Sequence, residues 1–169
     1  MRTILFNFTR KISLFWRLPL KYKLILSLNF FLCALARSAI KLIPLTKLAC
    51  YFGKFQQTTT ISTIISTPQK HQALIIGKLV RLAAKYTPWD SSCLTQAMVA
   101  KFWCQLYKTP YVFYIGLAKS ATEANQVKYD AHAWLTAGPI TITGGESLFV
   151  YHVISSYLYM FSPRRTCAN

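Results

Sequence analysis

Apolar positions follow a helical period in the first two thirds of the chain and a strand period afterwards. Leu24 to Ala36 is an uncharged, apolar run of 13 residues ending at Arg37, in which Leu24, Leu26, Leu28, Phe31, Leu32 and Leu35 include the i, i+3, i+4, i+7 spacing of a buried helical face. Pro19 and Pro44 punctuate it, so residues 1–54 read as helical. Residues 55–67, rich in Thr and Ile, favour a strand or extended linker. A second helix opens at Thr67-Pro68, runs through Ile75, Leu79 and Leu82, and stops near Thr87-Pro88. A third follows Trp89-Asp90-Ser91-Ser92, with Leu94, Ala97, Met98, Phe102 and Leu106 as its apolar face, and closes at Lys108-Thr109-Pro110. Alternating β-branched and aromatic residues then predict strands over 111–117, 129–136, 140–143 and 148–154, with Gly138-Pro139 as a turn and Gly144-Gly145 as a break. Helices followed by an antiparallel sheet define an α+β fold.

Composition narrows the function. The 169 residues are enough for one domain of ordinary size and exclude a large multidomain enzyme. With 53% hydrophobic and 15% aromatic residues, the chain lies far from the disordered signature. Four carboxylates against 20 Lys and Arg argue against acidic metal sites and a two-carboxylate glycosidase. The charge is also lopsided: residues 1–89 hold 14 basic residues and no acidic one, while Asp90, Glu123, Asp130 and Glu146 all lie beyond. Such a basic, apolar segment attracts a polyanion, or is the solvated face of amphipathic helices. Cys33, Cys50, Cys93, Cys104 and Cys167 have no CxxC pair or regular spacing, which points away from a disulfide framework or structural zinc and toward a reducing, cytoplasmic setting. The basic N-terminus shows no signal-peptide pattern, and the 13-residue run is short of the roughly 20 needed to span a bilayer, so a core or interfacial helix is expected.

Cys93 carries the strongest chemical signal. It sits just inside a helix start, with Ser91 or Ser92 available as the cap, where unpaired amide donors and the dipole favour a thiolate and can also hold an oxyanion. His132, in Asp130-Ala131-His132-Ala133-Trp134, shares a strand face with Asp130 and Trp134 and can act as base toward a thiol on a neighbouring helix. Taken singly, each reads equally as a core side chain. His71 and His152 have no local partner and read as structural.

Several stretches together resemble a family: Trp89 to Ala97 with its Cys93-Leu94, Tyr111 to Gly116 with Ile-Gly, Ala131-His132-Ala133-Trp134-Leu135, and Ile142-Thr143-Gly144-Gly145. In order, spacing and residue type they are similar to the transglutaminase-like cysteine peptidases of lasso-peptide biosynthesis, also described as microcin-processing proteins. The basic helical stretch 1–54 and the helix from Pro68 to Lys85 also look like that family's N-terminal half. The resemblance implies a papain-like core over 55–169 with the basic helices of 1–54 packed on it. It also implies leader removal from a ribosomally made precursor, with Cys93 as nucleophile and His132 as base, and no metal or cofactor. Some members place Asp about a dozen residues after the histidine; this chain reads Thr143-Gly144-Gly145 there. Glu146 is the nearest carboxylate, with Asp130 or no residue as the alternatives.

No leader-binding domain is evident ahead of the basic helices, which suggests the split form of the family. Its partners are then the precursor peptide, a separate leader-recognition protein and the ATP-dependent cyclase, with residues 1–54 as a docking surface for partners or, peripherally, for membrane. Two rival readings remain: an acyl-transferring enzyme, since a thioester serves water and amines alike, and a non-enzymatic basic module binding membrane or nucleic acid. The latter leaves the pattern around His132 unexplained, so nucleic acid is not expected as a partner.

Overall fold

A computed structural model of the protein describes residues 19–57, 60–121, 127–145 and 150–161. The first 18 residues, and with them the start of the expected basic helical segment, lie outside the described residues. Helix α1 (Leu20–Leu42) begins directly after Pro19, and α2 (Leu45–Ala49) after Pro44. Proline at these boundaries has a physical cause: it lacks the N–H that a helix interior needs and disfavours α geometry in the residue before it. A short strand β1 (Lys54–Phe55) follows, then an extended stretch, as its Thr and Ile content predicts.

Helix α3 (Thr67–Tyr86) is capped by Ser66, one residue before the expected Thr67, because Gln69 reaches back to accept the Ser66 N–H at 2.9 Å. Pro68 occupies its first turn and Thr87 ends it. Helix α4 (Cys93–Leu106) is capped by Ser92, whose hydroxyl accepts from Thr95 N at 3.4 Å. Then come β2 (Tyr111–Ala121), β3 (Val127–Ala137), β4 (Ile140–Thr143) and β5 (His152–Tyr159). The last strand runs over 152–159 rather than 148–154, a shift set by its pairing with β2 from Leu117 to Tyr111. All pairings are antiparallel, in the order β1-β5-β2-β3-β4.

The helices cover one face of this sheet. Tyr111, Phe113 and Ile115 of β2 and Ala133, Leu135 and Ala137 of β3 join Cys33, Val80, Ala97, Trp103 and others in the main core. On the other face Val112, Tyr114 and Trp134 form a smaller cluster with Ile61, Tyr151, Val153 and Leu158. Strand alternation accounts for the division, since odd and even residues of β2 and β3 point to opposite faces.

The buried helical faces match the expected ones only in part: Leu32 of α1 and Leu94, Ala97 and Met98 of α4 join the core, while most of the large apolar residues do not. In α1, Asn29, Cys33 and Ala36 are buried while Leu24, Leu28, Phe31 and Leu35 are exposed. In α3, Ala73, Ile76, Gly77, Val80 and Ala83 are buried while Ile75 and Leu82 are exposed. In α4, Thr95, Ala97, Val99, Ala100, Trp103 and Cys104 are buried, whereas Phe102 and Leu106 are exposed. The cause is close packing: small side chains at the contact line let backbones approach, and longer ones are displaced to the rim. Gly77 is the extreme case, since a Cβ there would meet the Ile142 carbonyl oxygen of β4 at 2.5 Å. Arg81 on the next turn donates to that same oxygen at 2.5 Å.

Helix α1 is tied to α4 by a buried polar link: Trp103 Nε1–H donates to Asn29 Oδ1 at 2.7 Å, and Asn29 Nδ2 donates to the Ile25 carbonyl at 3.0 Å. Its Lys23–Leu42 portion is long and apolar enough to cross a membrane by length and composition.

Candidate active site

The loop before Cys93 is held from several sides. Phe30 of α1 packs on Trp89 with ring centroids 5.0 Å apart, and the Arg37 guanidinium donates to the Asp90 carbonyl. The Thr87 hydroxyl lies 2.8 Å from the Ala84 carbonyl and 2.8 Å from Ser91 Oγ, and Gln96 Nε2 donates to the Ser91 carbonyl at 3.0 Å. These contacts, with the Ser92 cap, fix where α4 starts and therefore where the sulfur of Cys93 sits. Cys93 is the first residue of the helix and is partly buried against the main core. Its N–H belongs to the first-turn donors that have no acceptor within the helix.

The other described cysteines are in different environments. Cys33 and Cys104 are fully buried, and burial pushes the Cys104 thiol up to about 12 and also raises that of Cys33. Cys50 is exposed and donates weakly to the Thr46 carbonyl at 3.9 Å. Among the described cysteines, Cys93 alone combines partial exposure with a helix N-terminus.

His132 stands on β3 directly opposite Gly116 of β2, half-buried, on the face that carries Trp134. Its ring stacks on Tyr151 at 4.7 Å and lies 5.9 Å from the ring of Trp134, which in turn stacks on Tyr114 at 5.3 Å. Gly116 leaves the space for this: a Cβ there would come within 2.8 Å of Trp134 Cζ3. The His132 Nε2–H donates to the Gly144 carbonyl at 2.9 Å. β4 pairs with β3 only from Leu135 to Ala137, so at His132 that edge of β3 is open and the chain after β4 reaches the imidazole.

Cys93 packs toward the face of Ala133 and His132 lies on the face of Trp134; no hydrogen bond joins thiol and imidazole among the described residues. The two are carried by neighbouring elements, as α4 lies across β3. Asp130 is exposed and forms no hydrogen bond with His132. Glu146 lies outside the described residues. His71 is exposed on α3, and His152, also exposed, opens β5. Two grooves, one between α1 and α4 at Leu35 and Phe102 and one among α1, α3 and α4 at Ile25, Ile75 and Trp103, border neither Cys93 nor His132. The sequence marks Gly144-Gly145 as a break but gives its carbonyl no role, because a main-chain carbonyl has no side-chain signature.

Residues 39–156 match the transglutaminase-like superfamily, a span that takes in α2 to α4, the β2–β3 and β3–β4 pairings, the first part of β5, and both Cys93 and His132. The chain belongs to this superfamily, whose members are in general cysteine-dependent enzymes. Comparison with curated proteins and with solved structures finds no match. Membership is compatible with either a cysteine peptidase or an acyltransferase.

Proposed function

We propose that the protein is a cysteine peptidase that removes the leader from a ribosomally made lasso-peptide precursor, with Cys93 as nucleophile and His132 as base. The observation that carries this reading is the placement of Cys93 at the first turn of α4, on the helix that crosses the strand bearing His132, within a transglutaminase-like domain. The order Cys-Leu, Ile-Gly, His-Ala-Trp and Gly-Gly supports the narrower assignment to leader removal.

In the mechanism, His132 Nδ1 takes the Cys93 proton as the sulfur attacks the scissile carbonyl. The oxyanion that forms is held by the first-turn amides of α4. Collapse breaks the C–N bond, His132 returns the proton to the departing amine, and a thioester remains. Water then attacks the thioester carbonyl, giving its proton to His132. Collapse of this second intermediate releases the carboxylate product and restores the thiol. The cycle requires thiol and imidazole to close to hydrogen-bond distance, and because Cys93 packs on the Ala133 face of β3 while His132 lies on the Trp134 face, that step is a reorientation around β3 and not the tightening of an existing contact.

Cys93→Ala and His132→Ala are each expected to abolish leader cleavage, read by mass spectrometry of the precursor, with circular dichroism and precursor binding unchanged. Processing by Cys93→Ala would overturn the assignment. Product mass also separates the acyltransferase alternative, since transfer joins two molecules where hydrolysis splits one. On the proposed reading, the partners are a separate leader-recognition protein and the cyclase that uses the new amino terminus.

A further inference from the structure

Among the described residues, no acidic side chain is hydrogen-bonded to the imidazole of His132 in the way that orients and stabilises a catalytic histidine in triad enzymes. What the ring has instead is a carbonyl oxygen and an aromatic face. A carbonyl only accepts, so the 2.9 Å contact with Gly144 places the proton on Nε2 and leaves Nδ1 as the basic atom of the neutral ring.

The backbone at this point leaves no room for a carboxylate at position 144 itself. Gly144 has φ of +72°, and a Cβ on it would lie 2.7 Å from both the Ala133 carbonyl oxygen and Trp134 Cβ and 3.1 Å from His132 Nε2. No carboxylate side chain fits at this residue; the main chain takes up the space beside the ring. Asp130 is exposed and unbonded to it. Tyr151, between the glycine break and β5, stacks on the imidazole at 4.7 Å with 23° between planes, which fixes the plane of the ring.

We propose that the Gly144 carbonyl and the stacked Tyr151 ring are the positioning groups of His132, holding it as the Nε2–H tautomer in place of an acidic third residue. This rests on the reading of His132 as the base. The carbonyl supplies orientation and partial negative charge, and the ring fixes the plane in which the imidazolium forms once Nδ1 has taken the thiol proton.

The test is nitrogen-15 NMR of the imidazole in the full-length, uniformly labelled protein, which needs no substrate. Wild type, Asp130→Asn and Glu146→Gln are expected to show one set of shifts, with Nε2 protonated, Nδ1 bare and a slowly exchanging ring N–H proton. Tyr151→Leu is expected to speed exchange of that proton by about tenfold, the scale of one aromatic ring pair, and Tyr151→Phe to keep the wild-type rate. An Nδ1–H tautomer, or loss of the Nε2–H signal in Glu146→Gln, would overturn the proposal; unchanged exchange in Tyr151→Leu would remove Tyr151 from it. Gly144→Ala is the direct variant but strains the backbone, so the conclusion depends on the other arms. Failure here with cleavage still dependent on Cys93 leaves the peptidase reading intact, whereas a correct tautomer in an enzyme indifferent to Cys93 removes only the peptidase reading.

Discussion

At the scale of single residues, the described thiols divide by burial. Cys33 and Cys104 have no exposed surface, and Cys104 is further held as a thiol by a value pushed up to about 12. The reactive species is the thiolate and it must also be reached by reagent. Native protein treated with iodoacetamide at neutral pH is therefore expected to alkylate Cys93 and Cys50, with Cys33 and Cys104 modified only after denaturation, as peptide mapping would show. Labelling of Cys104 in the native state would mean that α4 opens far more readily than its packing implies. The same contrast shows what was legible at this scale. Cys93 and His132 stand where their local patterns put them, one at a capped helix start and one on an alternating strand. The Gly144 contact was not legible, since it depends on a left-handed residue and on the pairing of β4 with β3 ending at Leu135, three positions from His132.

Among the elements, boundaries were easier to read than faces. Proline, Ser92 and Thr87 act on the nearest few backbone groups, so their effect survives without knowledge of the neighbours, and α1, α3 and α4 begin and end within a residue or two of expectation. Faces depend on what lies opposite. α4 is covered by the sheet, α1 and α3 together, which leaves it apolar nearly all round and makes periodicity a poor guide to orientation. Asn29 is a case in point: a polar residue in the middle of an apolar run, it is fully buried because it accepts the indole N–H of Trp103. Asn29→Leu is expected to destabilise the protein by about 1–3 kcal/mol, because the Trp103 donor would be left dry and unpaired. Urea denaturation gives the value directly. A loss well under 0.5 kcal/mol would show that water reaches the indole and that α1 packs more loosely on α4 than the 2.7 Å bond requires.

For the whole molecule the dominant quantity is charge, +16 over 169 residues, with no acidic residue before Asp90. A field of that sign does not discriminate among folds, but it raises the encounter rate with anything negative. It acts on association rather than on bond breaking, so its signature belongs in kcat/KM and not in kcat. On the proposed reading of the protein as a leader peptidase, two precursor peptides with the same cleavage sequence, one with acidic and one with neutral flanks, separate this effect from any direct influence of salt on the enzyme. Between 0.1 M and 1 M salt the screening length falls from about 10 Å to about 3 Å. Over that range kcat/KM for the acidic peptide is expected to fall by about tenfold or more, with kcat held within about twofold, while the neutral peptide changes little. Parallel losses for both peptides would place the salt effect on the folded enzyme. A flat response for both would mean that the basic residues of α1 to α3 face away from the path by which substrate reaches Cys93.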